Sequence, residues 1–367
     1  MACEPLILAA PGVRGLVPYE PGKPVSELER ELGIRDAVKL ASNENPYGPG
    51  ERARAAAEQA LAELGRYPDG GAFALKRALA RIHGVGESQI TLGNGSNDVL
   101  ELAARTFLSP GDRAVCDEYA FAAFPISVRG IGAEVVRVAS RDYAHDLPAL
   151  AQAVVRTSAR LVYLANPNNP TGTWFAEEAL AGFLARCPAS TIVVLDEAYR
   201  EYVSEAGYPD GLAFAARHPN LVVARTFSKI HGLAALRVGY AVSAAPVAEL
   251  MNRLRQPFNV NTIAQAAACA ALEDREHTAN MAALNRTERE RLRAALTAAG
   301  LPVLPSVGNF LCVEVGDAAR VYQGLLRKGV IVRPLKPYGL LRHLRVTVGR
   351  PQDNARFLAA LAELRAP

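Results

Sequence analysis

Thr191-Ile192-Val193-Val194-Leu195 is β-branched or aliphatic from end to end, and it stops abruptly at Asp196-Glu197-Ala198-Tyr199. A strand without polar alternation is covered on both faces, as the strands of a parallel sheet are. Comparable runs lie on either side of it, at 89–92, 114–116, 134–138, 161–164, 221–224 and 238–242. Helical patterns fit between most of them, for instance at 98–107 and 177–186. This alternation predicts an α/β fold with a large domain built on a mostly parallel central sheet. After about Pro257 the pattern changes to long helices at 264–272 and 275–299, then strands near 310–315, 330–332 and 344–348, with helices at 318–328 and from about Gln352. These describe a smaller α/β domain. The first forty-odd residues carry Pro11-Gly12, Pro18, Pro21-Gly22 and Pro24, and read as an extended arm with one short helix near 25–32. The expected division is an arm over 1–45 that packs with the small domain, a large domain over 46–257, and an interdomain helix with the small domain over 258–367.

Composition narrows the class. Half of the 367 residues are hydrophobic and 21% are charged, with a net charge of +4, which suits a globular chain and signals neither nucleic acid nor an anionic membrane as partner. The densest charge run, 286–293, interleaves Glu288 and Glu290 with arginines and reads as a solvated helix face. Five cysteines (Cys3, Cys116, Cys187, Cys269, Cys312) contain no CxxC pair, so no disulfide framework and no metal site is expected. The N-terminus lacks a secretory pattern, and a cytoplasmic setting is expected. Lysine occurs only at 23, 39, 76, 229, 328 and 336, against 35 arginines. In such a chain each lysine needs a reason, because arginine cannot lose its proton and act as a nucleophile.

Parallel α/β sheets bind ligands at the carboxyl ends of their strands. Four such ends carry chemistry. Gly93-Asn94-Gly95-Ser96-Asn97-Asp98 precedes a helix and can seat a phosphate on backbone N–H groups with Ser96 and Asn97, or can simply cap the helix. Ala165-Asn166-Pro167-Asn168-Asn169-Pro170-Thr171-Gly172 makes a turn whose amides can also donate to a ring substituent or carboxylate. Asp196 follows a buried strand, where a carboxylate needs a positive or hydrogen-bonding partner unless it caps the next helix, and Tyr199 stands close behind. Arg225-Thr226-Phe227-Ser228-Lys229, with Arg237 beyond, puts an amine where burial can strip its proton and free it to attack a carbonyl. A phosphate seat, an acid for a protonated ring nitrogen, a Tyr and an Asn for a ring oxygen, and an imine-forming Lys together describe one cofactor, pyridoxal 5′-phosphate (PLP).

With these pieces in order, the chain resembles the fold-type I, PLP-dependent aminotransferases, most closely the histidinol-phosphate aminotransferase family. The resemblance rests on Leu40-Ala41-Ser42-Asn43-Glu44-Asn45-Pro46, Arg66-Tyr67-Pro68, the 93–98 turn, Asn169-Pro170-Thr171-Gly172, Asp196-Glu197-Ala198-Tyr199, Ser228-Lys229, Arg237-Val238-Gly239-Tyr240 and Leu344-Arg345-Val346-Thr347-Val348-Gly349, and it covers nearly the whole chain. It implies that Lys229 bonds to the cofactor's aldehyde and then shuttles a proton between substrate and cofactor carbons. It implies that Asp196 pairs with the ring nitrogen, that Tyr199 and Asn169 bond the ring oxygen, and that Phe121 stacks on the ring. Ser96, Asn97, Ser228 and Arg237 would hold the phosphate. Tyr67 would reach the cofactor phosphate of a neighbouring subunit, which makes the expected partner a second copy in a homodimer with shared sites. Asn43 would sit near the substrate, and Arg345, with Arg333 as a second candidate, would grip its anionic group. The implied reaction passes an amino group from L-histidinol phosphate to 2-oxoglutarate. Family members often carry an aromatic residue where His231 stands, Gly at Ala235 and Tyr at Phe121.

Other readings account for less. An aromatic amino-acid aminotransferase or a related PLP decarboxylase would use the same residues on another small molecule. An NAD-dependent dehydrogenase would rest on Gly93-x-Gly95 and Asp117 alone, lacks the third glycine, and leaves Lys229, Asp196 and Tyr199 without a role. A PLP-responsive transcription regulator needs a DNA-binding domain that the short, proline-rich arm does not supply.

Overall fold

The arm closes in a two-residue strand, β1 (Val38–Lys39), and seven strands then build the large sheet. They are β2 (Ile90–Gly93), β3 (Arg113–Asp117), β4 (Glu134–Val138), β5 (Leu161–Ala165), β6 (Ile192–Asp196), β7 (Leu221–Thr226) and β8 (Gly239–Val242). In this computed structural model, which describes residues 5–365, their order is β2-β8-β7-β6-β5-β3-β4. Only β8 runs against its neighbours. The expected mostly parallel sheet is therefore present, with each strand within one or two residues of its sequence reading.

Continuous apolar runs are explained by what lies on each side. One face of the sheet, carrying Tyr163, Val194, Val222 and Ala224, packs under the helices Ser96–Phe107 and Ala123–Gly130. The opposite face, with Val162, Leu164, Val193, Leu195 and Val223, packs under Leu147–Thr157 and Glu177–Leu184. Local chemistry starts the helices: Asp146 accepts the Ala149 N–H at 2.9 Å, and Asn261 accepts that of Ala264 at 2.8 Å. Helix Thr262–Glu273 packs on the large domain, where Ala264, Ala267 and Ala268 join a cluster with Leu75, Leu92 and Tyr240.

Helix Arg275–Ala298, 24 residues and about 36 Å long, leads into the second lobe. There β9 (Phe310–Glu314), β10 (Val330–Ile331), β11 (Arg333–Leu335) and β12 (Leu340–Thr347) follow in turn. The antiparallel order is β11-β12-β9, while β10 pairs in parallel with β1 of the arm. Leu40 of the arm shares a core with Leu292, Leu311, Val330, Leu344 and Phe357, and Leu28 of the arm helix packs on Leu326 and Ile331. Both ends of the chain thus build the smaller lobe.

Two expectations need correction. The arm has helical turns at Pro5–Leu8 and Pro11–Arg14 besides the expected helix Val25–Leu32, because proline at a first position supplies a helical φ without losing a bonded N–H. The charge run at 286–293 is not wholly solvated. Glu288 and Arg289 are buried, with Glu288 held by Arg291 at 2.7 Å and by Asn354 at 3.2 Å, while Arg289 donates to the Gly308 carbonyl at 3.2 Å. Helix 275–298 turns that pair inward, and the apparent surface pattern hides an anchor of this helix to the smaller lobe. Cys3 lies outside the described residues, and the other four cysteines are unpaired. Among the described residues no helix is long and apolar enough to cross a membrane.

Candidate active site

A cleft of about 320 Å³ opens where β2, β5, β6 and β7 end. Because β8 runs backwards, its beginning meets the same edge, and this brings Arg237 to the cleft. Eleven of the residues singled out from sequence line it: Asn43, Ser96, Asn97, Phe121, Asn169, Asp196, Tyr199, Ser228, Lys229, Arg237 and Arg345. They come from segments up to about three hundred residues apart, as the bond from the Asn43 N–H to the Thr347 hydroxyl at 2.9 Å illustrates.

One end of the cleft is an anion cradle. Gly95, at φ 82°, caps helix Ser96–Phe107 with no side-chain bond to its first N–H groups. A Cβ at Gly95 would lie 2.6 Å from the Arg237 guanidinium, and one at Gly239 would lie 2.4 Å from the Ser96 nitrogen. Glycine at both places lets the helix N-terminus, the Ser228 hydroxyl and the guanidinium converge. Arg237 is held there by bonds to the Asn94 and Ala234 carbonyls at 3.2 and 3.0 Å and faces Ser228 Oγ at 3.4 Å.

At the centre, Asp196 is 8% exposed and accepts the Tyr163 hydroxyl at 2.8 Å and the Ala198 N–H at 3.1 Å. Burial raises its pKa to about 6, against the pull of those two donors and of Lys229. Lys229 donates to the Ser42 carbonyl at 3.0 Å, and its Nζ lies 5.6 Å from the centre of the Tyr199 ring. Desolvation, reinforced by Arg345 and Arg237, lowers its pKa to about 8. The amine can therefore shed its proton near neutrality, which an ordinary lysine does not do. Tyr199 packs edge-on against Phe310 and accepts from Asn43 Nδ2 at 2.9 Å, with burial raising its pKa.

Arg345 closes the far side. It is buried, donates to Asn169 Oδ1 and the Ala41 carbonyl, and keeps an Nε without a partner among the described residues. A buried guanidinium with a free N–H is suited to an anion.

Two expected site residues do not line the cleft. Arg333 pairs with Arg345 across β11 and β12, but its side chain donates to the Glu20 carbonyl and lies 5.3 Å from the Tyr19 ring. Tyr67 is 82% exposed and stacks on Phe258 at 4.8 Å. Tyr19 and Tyr163, which the sequence did not single out, also line the cleft, as do Ser42, Glu44 and Thr226, which stood in its motifs without a role. Tyr163 had a readable signal, being the lone hydroxyl in the aliphatic run Leu161–Ala165. His231 is buried against Phe227, ring centres 5.1 Å apart, and is not among the cleft residues.

Residues 35–361 match the family model for aminotransferase class I and II. The chain belongs to that family. A relative in Pseudomonas fluorescens (strain Pf0-1), histidinol-phosphate aminotransferase 2, is 56% identical over 364 residues, covering 98% of each chain. Histidinol-phosphate aminotransferase 1 of Nitrosococcus oceani is 54% identical over 355 residues, covering 96% of each. Among solved structures, the histidinol-phosphate aminotransferase of Sinorhizobium meliloti in complex with pyridoxal-5′-phosphate superposes with a TM-score of 0.89 at 33% identity, covering 96% of each chain. The fold frames the cleft at the strand ends, and the cleft's donor set fits pyridoxal phosphate: an anion cradle, a buried carboxylate and an amine of lowered pKa. Among the described residues, no cluster of three or more His, Cys, Asp or Glu side chains forms a metal site.

Proposed function

We propose that this aminotransferase is PLP-dependent and passes the amino group of L-histidinol phosphate to 2-oxoglutarate, giving imidazole-acetol phosphate and L-glutamate. The observation that carries the reading is Lys229, a primary amine that lines the same cleft as Asp196, whose other basic side chains are Arg237 and Arg345, and that is prepared for deprotonation near pH 8. When bound, pyridoxal phosphate supplies an aldehyde for amines and a ring that draws electrons from the carbon beside it. Ser96, Asn97, Ser228 and Arg237 would hold its phosphate, Phe121 would lie against its ring, and Asn169 and Tyr199 would bond its ring oxygen. Asp196 would keep the ring nitrogen protonated. Lys229 Nζ would hold the cofactor through its aldehyde and would carry a proton between the substrate carbon and the cofactor carbon beside it. Arg345 would hold the substrate's anionic group, Asn43 would sit beside the substrate, and Arg333 would support the same end through Tyr19. Identity above half to histidinol-phosphate aminotransferases supports the choice of substrate.

The working unit in this reading is a homodimer. Leu6, Leu8, Val17, Leu64, Tyr67 and Phe73 are exposed apolar side chains of the kind a second copy covers, and Tyr67 would reach the neighbour's cofactor. Borohydride reduction followed by peptide mapping tests the chemistry: the phosphopyridoxyl label falls on Lys229, and Lys229→Ala abolishes turnover. Label on another lysine, or full activity in the variant, rejects the mechanism. Histidinol phosphate and phenylalanine compared side by side test the substrate. A large kcat/KM advantage for phenylalanine would mean an aromatic amino-acid aminotransferase instead.

A further inference from the structure

Tyr163 sits in the middle of β5, fully buried, with its ring stacked on Phe124 at 4.7 Å and 17°. Phenylalanine would satisfy that packing, so the hydroxyl needs its own explanation. The register supplies one. Tyr163 lies opposite Val194 and Ala165 opposite Asp196, so Tyr163 and Asp196 share a face on adjacent strands, one diagonal step apart. The hydroxyl reaches Asp196 Oδ2 at 2.8 Å while Oδ1 takes the Ala198 N–H.

We propose that Tyr163 is a positioning residue for the cofactor-binding carboxylate: its hydroxyl keeps Asp196 ionised and turned into the cleft. The inference rests on the proposed pairing of Asp196 with the cofactor ring. The charged groups facing Asp196 are few. Lys229, from the segment after β7, favours its ionised form but is bonded to the Ser42 carbonyl, while Glu197 beside it opposes ionisation. Tyr199 adds only a neutral phenol. A neutral donor suits this place better than a guanidinium, because it stabilises the carboxylate without cancelling the charge that a cationic ring nitrogen requires. Burial pushes Asp196 toward neutrality, and the Tyr163 hydroxyl is the largest influence acting the other way.

The test is PLP affinity of the cofactor-stripped full chain as a function of pH, followed by absorbance. In the native chain, affinity falls on the acid side as Asp196 takes up its proton. Tyr163→Phe keeps the ring and its stacking. It is expected to weaken PLP binding about tenfold and to move the acid-side midpoint up by about one pH unit. Fluorotyrosine placed at 163, a stronger donor of nearly the same shape, moves the midpoint down. In an Asp196→Asn background, Tyr163→Phe changes affinity by less than about twofold. An unchanged midpoint in both 163 variants, or the same tenfold loss in the Asp196→Asn background, overturns the proposal and leaves Tyr163 a packing residue. Failure of the native chain itself to bind PLP at Lys229 would instead reject the underlying reading of the site.

Discussion

Asp196 and Glu197 are neighbours at the end of one strand, both buried, and they meet the cost of burial in opposite ways. Glu197 points to the face of Leu195, where Arg225 Nε and Nη2 donate to its Oε2 at 2.9 and 2.7 Å. A Cβ at Gly211 would lie 2.4 Å from its other oxygen, so the carboxylate is boxed in. Asp196 points to the face of Val194 and receives only neutral donors, Tyr163 and Ala198. Burial raises the pKa of both, Arg225 counteracting it for Glu197. A carboxylate already matched by a guanidinium is structural, because its charge is spent. One stabilised by neutral donors still has its charge available for a cation that arrives from outside.

Substitutions can break this contrast. Asp196→Asn should lower kcat/KM by at least about a hundredfold while leaving the melting temperature of the cofactor-free chain unchanged or slightly higher; activity within a few-fold of native would end the distinction. Arg225→Met should do the reverse. It strands the Glu197 charge and should cost about 3–5 kcal/mol in urea unfolding, with a smaller effect on kcat than Asp196→Asn has. The contrast extends to the arginines, since Arg225 puts both Nε and Nη2 on Glu197 whereas Arg345 keeps an Nε without a partner among the described residues. Arg345→Gln should raise KM for the anionic substrate about ten- to a hundredfold, measured by initial rates with histidinol phosphate. The smallest effect is a shift in titration. Labelling of Lys229 by an amine reagent in the cofactor-free chain should rise with pH to a midpoint near 8. Asp196 favours the protonated amine, so Asp196→Asn should move that midpoint slightly lower. A midpoint that stays or rises would show that the two groups do not sense each other.

The sequence revealed most of this because the strands punctuate it. Lys229, Asp196 and the Gly93 to Asp98 turn each follow an apolar run, and a polar residue at such a boundary is conspicuous. Tyr163 gave a fainter signal, a lone hydroxyl in an aliphatic run, because a tyrosine inside a buried strand looks like core until its hydroxyl is seen to meet a residue on the next strand. Arg333 shows the opposite limit: its neighbour Arg345 enters the cleft, but Tyr19 of the arm, beyond the helical turn Pro5–Leu8, intercepts Arg333. Linear order cannot show such an interception. The helix at 275–298 misled for a related reason. Its charge alternation is that of a solvated face, and only the packing of Asn354 and Gly308 against it shows that Glu288 and Arg289 turn inward.

The pairing of β1 with β10, and the bond from Asn43 to Thr347, also governs how the molecule can come into being. The large sheet is complete once β8 has left the ribosome, but the arm must wait roughly ninety further residues for β10, and roughly a hundred for Thr347 of β12, before its partners exist. Contacts of such sequence separation form late. Translation that stops short of β12 would therefore leave a nascent chain whose arm, including Asn43, has nowhere to dock, and the cleft would stay open at the side where Arg345 belongs.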